Sequence, residues 1–294
     1  MKSGFSGKFM NLPPAYSGYK KSQIAILPVP FDGTSTWMKG ADKGPEALVS
    51  ASGYLEYCEP ETKAEVCDNG IYTDKPVISK TPESMIKDTY ERVKALLADG
   101  KFVVTLGGEH SISVGPIRAH AEKFAGLSVL HLDAHGDRRD EYHGSRCNHG
   151  CVIARAKESV RKVVSVGIRS FDSSEMESLD EDKVFYAHEI HGRDDWISKA
   201  VNSLSDNVYI TIDLDVFEIG IMPSTGTPEP GGLGWYEVTR LLRAVVEKKN
   251  IVGFDVVELC PDERNKAPDF LAAKLVQVLL SYIFFLGRRA EKKR

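Results

Sequence analysis

The chain has 294 residues, 42% of them hydrophobic and 27% charged, with a formal net charge of −4. This is the composition of an ordinary globular protein, and it excludes a disordered chain, collagen and a coiled coil. The slight acidity and the lack of a basic block argue against nucleic acid or an anionic membrane surface as the main partner, leaving a small molecule.

In chain order, short apolar runs at 24–28, 102–106, 127–132, 162–167, 208–212 and 251–257 predict strands, with weaker candidates at 66–72 and 184–186. Between them, apolar residues at three- and four-residue steps predict helices over 44–58, 83–98, 196–204, 236–248 and 267–286. This βαβα alternation, with continuously apolar strands, predicts an α/β fold: a mostly parallel sheet of about eight strands covered by helices on both faces. No internal repeat or linker-like stretch divides the chain, so a single domain over 1–294 is expected, with an N-terminal extension at 1–20 and a basic C-terminal tail at 287–294.

Five cysteines form an odd set without a CxxC pair, and no secretory apolar segment follows the polar start, so a reduced, cytoplasmic chain is expected. The apolar run 275–286 is too short for a membrane span of roughly 20 residues and is read as part of a buried helix, with no membrane partner.

Ligands of open parallel sheets gather beyond the carboxyl ends of the strands. Here one run leads into Gly107-Gly108-Glu109-His110, a second into Asp133-Ala134-His135-Gly136-Asp137, and a third into Asp213-Leu214-Asp215. If strand alternation continues, Asp133, His135 and Asp137 share one direction, and so do Asp213 and Asp215. Four converging carboxylates repel one another unless cations neutralise them, and His110 and His135 add neutral donors. The count fits two divalent metals. Oxygen and imidazole donors without a thiolate favour Mn²⁺, while affinity order alone leaves Zn²⁺, Co²⁺ and Ni²⁺ open. Each motif singly is most simply a capped turn or a solvated strand end; it is their occurrence at three strand ends that argues for a site.

These motifs, together with TGTPEPGG (Thr225 to Gly232) and GFDVVEL (Gly253 to Leu259), resemble in order and spacing the signatures of the ureohydrolases, the family of arginase, agmatinase and formiminoglutamase. The resemblance implies a three-layer αβα sandwich around an eight-stranded parallel sheet, two Mn²⁺ per chain, and a homo-oligomer, trimer or hexamer. It also implies that His110, Asp133, Asp137 and Asp213 hold one metal and that Asp133, His135, Asp213 and Asp215 hold the other, with Asp133 and Asp213 bridging.

In the same resemblance Glu258 is the carboxylate that pairs with a substrate guanidinium and His149 is the proton shuttle, completing with Asp137 the catalytic set. The chemistry is consistent with this: a resonance-stabilised guanidinium is a poor electrophile, so hydrolysis needs a nucleophile stronger than bulk water, and an amine leaves only when protonated. Read without the family, His149 is a packing residue or a stray ligand between Cys147 and Cys151. His131, inside an apolar run, reads as a core histidine, and His143 is left open.

The expected reaction is hydrolysis of a small cationic guanidino substrate, agmatine, to putrescine and urea. N1-aminopropylagmatine is the second choice, guanidinobutyrate the third and arginine the last. Arginases place Asn and Ser/Thr donors for an α-carboxylate in the loop after DxHxD, whereas the loop after Asp137 here reads Arg138-Arg139-Asp140-Glu141-Tyr142-His143-Gly144-Ser145 and resembles that of agmatinase. Asp140 and Glu141 either face a substrate amine or pair with neighbouring arginines. Glu218-Ile219 stand where the family commonly has Asp-Pro. Rival readings are a binuclear metallophosphatase, a zinc deacetylase of related fold, and a catalytically silent binding module on the same fold.

Overall fold

The computed structural model describes residues 7–181 and 183–287; the basic tail at 288–294 lies outside them. Eight strands form the central sheet: β1 (Ile24–Val29), β2 (Ile71–Thr73), β3 (Phe102–Gly107), β4 (Ser128–Leu132), β5 (Lys162–Ile168), β6 (Lys183–Tyr186), β7 (Asn207–Asp213) and β8 (Asn250–Val257). Their spatial order is β2-β1-β3-β8-β7-β4-β5-β6, and every pairing is parallel. All carboxyl ends therefore lie along one edge, and the four central strands β3, β8, β7 and β4 bring theirs side by side.

The principal helices are α1 (Gly44–Ser52), α2 (Pro82–Ala98), α3 (Val114–Lys123), α4 (Val152–Ala156), α5 (Asp195–Ser203), α6 (Trp235–Lys248) and α7 (Ala267–Phe285). Because successive strand side chains point to opposite faces, the sheet divides the apolar interior in two. Ile24, Ile26, Phe102, Val104, Leu130 and Ile210 pack under α1, α5, α6 and α7, whereas Ala25, Leu27, Val103, Val129 and Tyr209 pack under α2, α3 and α4. Helix α7 is apolar and long enough to cross a membrane, but 78% of its most hydrophobic window is buried in the fold, which makes it the core helix the sequence predicts.

Several boundaries differ from the sequence reading. The helix predicted over 44–58 stops at Ser52, and the chain continues into a two-residue antiparallel pair, Cys58–Glu59 with Ala64–Glu65. The weak strand at 66–72 is mostly a 3₁₀ turn, Val66–Asn69, followed by the short edge strand β2. Helix α3 went unpredicted. Within the segment read as an N-terminal extension, Phe9, Met10 and Leu12 are buried in the α1/α7 core.

One row of side chains interrupts the apolar interior. The strand registers set Thr105, Asp255, Thr211, His131 and Ser165 side by side across β3, β8, β7, β4 and β5, and all five are buried. Such a row costs stability unless its members satisfy one another. It runs directly beneath the strand ends that carry the candidate site.

Candidate metal centre and substrate cleft

The three strand-end motifs converge, though not by continued strand alternation. Strand β4 ends at Leu132, the segment beyond it keeps only a single parallel bridge from His135 to Ser170, and Asp137 takes a left-handed conformation (φ 52°). Asp133 Oδ1 accepts its own segment's His135 N–H at 2.6 Å. Asp213 closes β7 and accepts the Asp215 N–H at 2.9 Å as a cap of the 3₁₀ turn Leu214–Val216. Asp215 Oδ1 in turn accepts the Ala134 N–H at 2.9 Å, which locks the two carboxylate segments together. Upstream, Gly108 must be glycine, since a Cβ there would lie 2.0 Å from the Phe31 carbonyl oxygen. That close approach allows Gly108 and Glu109 to donate backbone hydrogen bonds to Val29 and Phe31 and so aims His110 inward.

The six candidate ligands form two groups. His110 Nδ1 stands 3.1 Å from Asp133 Oδ2, 3.0 Å from Asp137 Oδ2 and 3.5 Å from Asp213 Oδ2. His135 Nδ1 stands 2.8 Å from Asp215 Oδ2 and 3.6 Å from Asp133 Oδ1. Asp133 thus faces both groups with different oxygens. Neighbouring ligands on a small octahedral cation with bonds of about 2.1 Å lie about 3 Å apart, so these separations suit donors around a cation.

The polar row supplies a second indication. Asp255 accepts hydroxyl hydrogen bonds from Thr211 (2.7 Å) and Tyr209 (2.7 Å). With its proton committed to Asp255, the Thr211 oxygen accepts from His110 Nε2–H at 2.9 Å. The Nδ1 lone pair of a neutral His110 is then directed at three carboxylates, and this buried atom has no hydrogen-bond partner among the described residues. A lone pair facing carboxylate oxygens is repulsive unless a proton or a cation lies between them, so the donor set fits a divalent metal pair. His131, the expected core histidine, is buried as predicted, but it also bonds Asp133 Oδ2 at 2.8 Å and Ser165 at 3.1 Å.

Charge crowding shifts the ionisations accordingly. Burial and then the neighbouring Asp133 push Asp137 up to about 7. Burial, Asp215 and Asp133 raise Asp213 well above the carboxylate range. Burial disfavours a charged His110, yet the carboxylates of Asp133 and Asp137 carry its pKa well above the ordinary value. Without metal, protons substitute for the missing positive charge.

Glu258 follows β8 in a left-handed conformation (φ 66°), the second non-glycine residue so strained at the site. Its Oε1 accepts the His110 N–H at 2.7 Å, and the side chain lines the cleft with Asp137, Asp213, His135 and His149. His149 Nε2 is buried without a hydrogen-bond partner among the described residues. Burial, followed by the charges of His135 and His110, pushes this imidazole down to about 4, so it is neutral at pH 7.

The cleft has a volume of about 280 Å³, and its outer wall comes from Arg139 and Tyr142 of the loop after Asp137 and from three residues the sequence reading passed over: Phe171, Asp172 and Glu175. Asp172 and Glu175 follow the end of β5, so the strand-end rule applied to that run would have found them. Arg139 lies over the Tyr142 ring at 4.0 Å and faces Glu175 (3.6 Å) and Asp172 (3.8 Å), which balance its charge. Beyond Tyr142 the cleft opens into a shallower depression of about 680 Å³ lined by Asp140, Glu141 and Asp172. Asp140 is paired with Arg146 at 2.9 Å and with Arg155, which realises the arginine-pairing reading for that residue. His143 is exposed, meets the Tyr142 ring in a tilted contact at 4.3 Å and does not line the cleft. Glu218, at the departure from the family pattern, accepts the N–H groups of Gly231 and Gly232 at 2.9 and 2.8 Å. It therefore ties down the 231–232 end of the loop whose Thr227 lines the cleft.

A parallel sheet with carboxylates and imidazoles gathered at its central strand ends, and a carboxylate-walled cleft leading to them, defines a hydrolase of the ureohydrolase class. The chain belongs to the Arginase family, whose profile matches residues 22–281; this is a family of binuclear metal enzymes. It is 37% identical to an N(1)-aminopropylagmatine ureohydrolase of Synechocystis over 91% of each chain. It is 34% identical to an agmatinase of Pyrococcus horikoshii over 87% of this chain and 90% of the relative. The agmatine ureohydrolase structure of Thermoplasma volcanium superposes with a TM-score of 0.87 at 32% identity, covering 100% of this chain and 98% of that one.

Proposed function

We propose that the protein hydrolyses the guanidino group of a linear polyamine-type cation, releasing urea, and that N1-aminopropylagmatine is favoured over agmatine. This reverses the order expected from sequence. The observation that carries it is the continuation of the cleft past Tyr142 into a depression lined by Arg139, Asp140, Glu141 and Asp172, where Arg139 matches Asp172, Arg146 and Arg155 match Asp140, and Glu141, with no ion pair among the described residues, offers negative charge to the additional amine of a longer chain. The relatives named for aminopropylagmatine support the same reading. Guanidinobutyrate and arginine would bring a carboxylate against this acidic wall, an arrangement that like charge disfavours.

We assign His110, Asp133, His135, Asp137, Asp213 and Asp215 as ligands of two Mn²⁺, on their hard donor set. Two divalent cations held there supply Lewis acidity that makes water a nucleophile near neutral pH. Glu258 holds the guanidinium through charge-assisted hydrogen bonds and keeps its carbon fixed relative to the ligand cluster. His149, neutral and with Nε2 unpartnered, accepts a proton at that atom and passes it to the departing amine. We further read the working form as a cytoplasmic homo-oligomer, trimer or hexamer, on the family resemblance.

The test is kcat/KM for N1-aminopropylagmatine, agmatine, guanidinobutyrate and arginine with Mn²⁺-loaded protein. Aminopropylagmatine is expected to exceed agmatine by about tenfold or more, as one additional paired charge gives. Equal values would remove the role of the outer depression. No urea from any of the four would favour a silent binding module.

A further inference from the structure

The turn after β1 reaches the site through a residue that no motif singled out. Thr34 donates its hydroxyl proton to Glu109 Oε1 at 2.8 Å, and its backbone N–H approaches the same oxygen at 3.3 Å. The Thr34 oxygen accepts the backbone N–H of His149 at 2.9 Å. One hydroxyl therefore joins three segments: the turn after β1, the strand-end glycine turn that carries His110, and the segment that carries His149.

Both sides of this junction are fixed. Glu109 is fully buried, and its other hydrogen bonds come from the Ser111 N–H (2.8 Å) and hydroxyl (2.9 Å). On the Thr34 side, Asp32 accepts from Ser35 (2.5 Å), the Gly40 N–H (2.7 Å) and Lys39 (3.1 Å), which holds the turn closed around Thr34. The His149 side chain, by contrast, has no hydrogen bond at Nε2 among the described residues. Apart from a tilted ring contact with Tyr142 at 6.2 Å, its placement over the cleft rests on its backbone, and the 148–151 turn is anchored at that residue by the Thr34 hydroxyl. Asn148 caps the turn locally through Gly150 N–H at 3.1 Å, a bond that sets the turn's shape but not its position relative to β1 and β3.

We propose that Thr34 is a positioning residue for His149: its hydroxyl, oriented by Glu109, fixes where the imidazole stands over the cleft and hence how well it transfers the proton to the leaving amine. This rests on the proton-transfer reading of His149.

The experiment uses the Mn²⁺-loaded full chain and four variants: T34V, T34S, H149A and the double variant T34V/H149A. H149A is expected to lower kcat by about 10²-fold or more, the range of a lost acid–base group. T34V is expected to lower kcat about tenfold with KM within about twofold, and T34S to restore it, because only the hydroxyl matters. In the H149A background T34V should change kcat by less than about twofold, since a residue acting through another has no effect once that other is gone. Independently of activity, amide hydrogen exchange at His149 should accelerate in T34V but not in T34S. If the T34V loss persists in the H149A background, or T34V reduces Mn²⁺ content, Thr34 acts on the metal cluster or the fold and the proposal is overturned. If H149A retains full activity, the reading of His149 fails and takes this inference with it; if only T34V retains full activity, the positioning role alone is refuted.

Discussion

Glu258 holds two obligations at once. Its Oε1 accepts the His110 N–H, while the rest of the carboxylate faces the cleft beside Gly226. Burial and the charge of Glu109 raise its pKa well above the ordinary carboxylate value, so a guanidinium that enters restores the ionised form by supplying the missing counter-charge. Glu258→Gln keeps an acceptor for His110 but removes the charge. It is expected to lower kcat/KM for the best guanidino substrate by roughly 2–3 kcal/mol of transition-state stabilisation, the worth of a desolvated charge-assisted pair, without loss of Mn²⁺. Steady-state kinetics with metal analysis check this; unchanged kcat/KM would refute the guanidinium role. At this scale the sequence was informative where residue type and strand-end position coincide, as at Asp133, His135 and Asp213. It was silent on Thr34, because a threonine in a turn carries no chemical signal until its partners are known.

At the scale of elements, the 225–232 loop is held by Arg169, just past β5. Its guanidinium donates to the backbone carbonyls of Asp215 (2.6 Å), Glu229 (2.7 Å), Pro230 (3.0 Å) and Gly167 (3.2 Å). A planar fork with five donors can bind carbonyls from several segments at once, and an ammonium cannot reproduce that geometry. Arg169→Lys should therefore loosen the loop and the Asp215 turn together. The expected result is about tenfold weaker uptake of the second Mn²⁺ per chain, with the first unaffected, read by isothermal titration of metal-free protein. Equal weakening of both ions would assign Arg169 to general stability. The elements themselves were legible in unequal measure. Apolar runs located every central strand, because a buried parallel strand must be apolar throughout. Helix α3 escaped because its sequence, Val-Gly-Pro-Ile-Arg-Ala-His-Ala-Glu-Lys, opens with Gly and Pro and has a weak apolar stripe. The convergence of Asp133 and Asp137 was expected from continued strand alternation, but β4 stops at Leu132 and Asp137 is left-handed, which residue identity does not reveal.

Across the whole molecule, a buried histidine far from the cleft makes the fold acid-sensitive. His120 on α3 is fully buried against Gly253 of β8, where a Cβ would meet its Nε2 at 2.3 Å. Burial pushes this imidazole down to about 4, against a smaller opposing effect of the Pro116 carbonyl that its Nδ1 contacts. The unfolded chain binds a proton near pH 6.5 that the folded one refuses until about 4, so the stability contribution is whole above 6.5 and disappears as pH falls toward 4. Between pH 7 and pH 5 this amounts to roughly 2 kcal/mol. Urea unfolding of wild type and His120→Asn at both pH values isolates it, because the variant should lose stability less steeply. Parallel slopes would show that His120 is not the proton acceptor.

The buried row from Thr105 to Ser165 also divides what is good for folding from what is good for chemistry. Valine at Asp255, Thr211, His131 or Ser165 alone would strand the groups that bond it, among them the Tyr209 hydroxyl, His110 Nε2, Asp133 and Arg138, whereas apolar residues at these four positions and at their partners together would remove both sides of each bond. A heat-resistant descendant with this fold and an inert centre is therefore close to the present chain in sequence but separated from it by several individually harmful steps. Neighbouring polar residues that are mutually dependent in this way are a barrier against drift: losing the activity gradually costs stability before it gives any back.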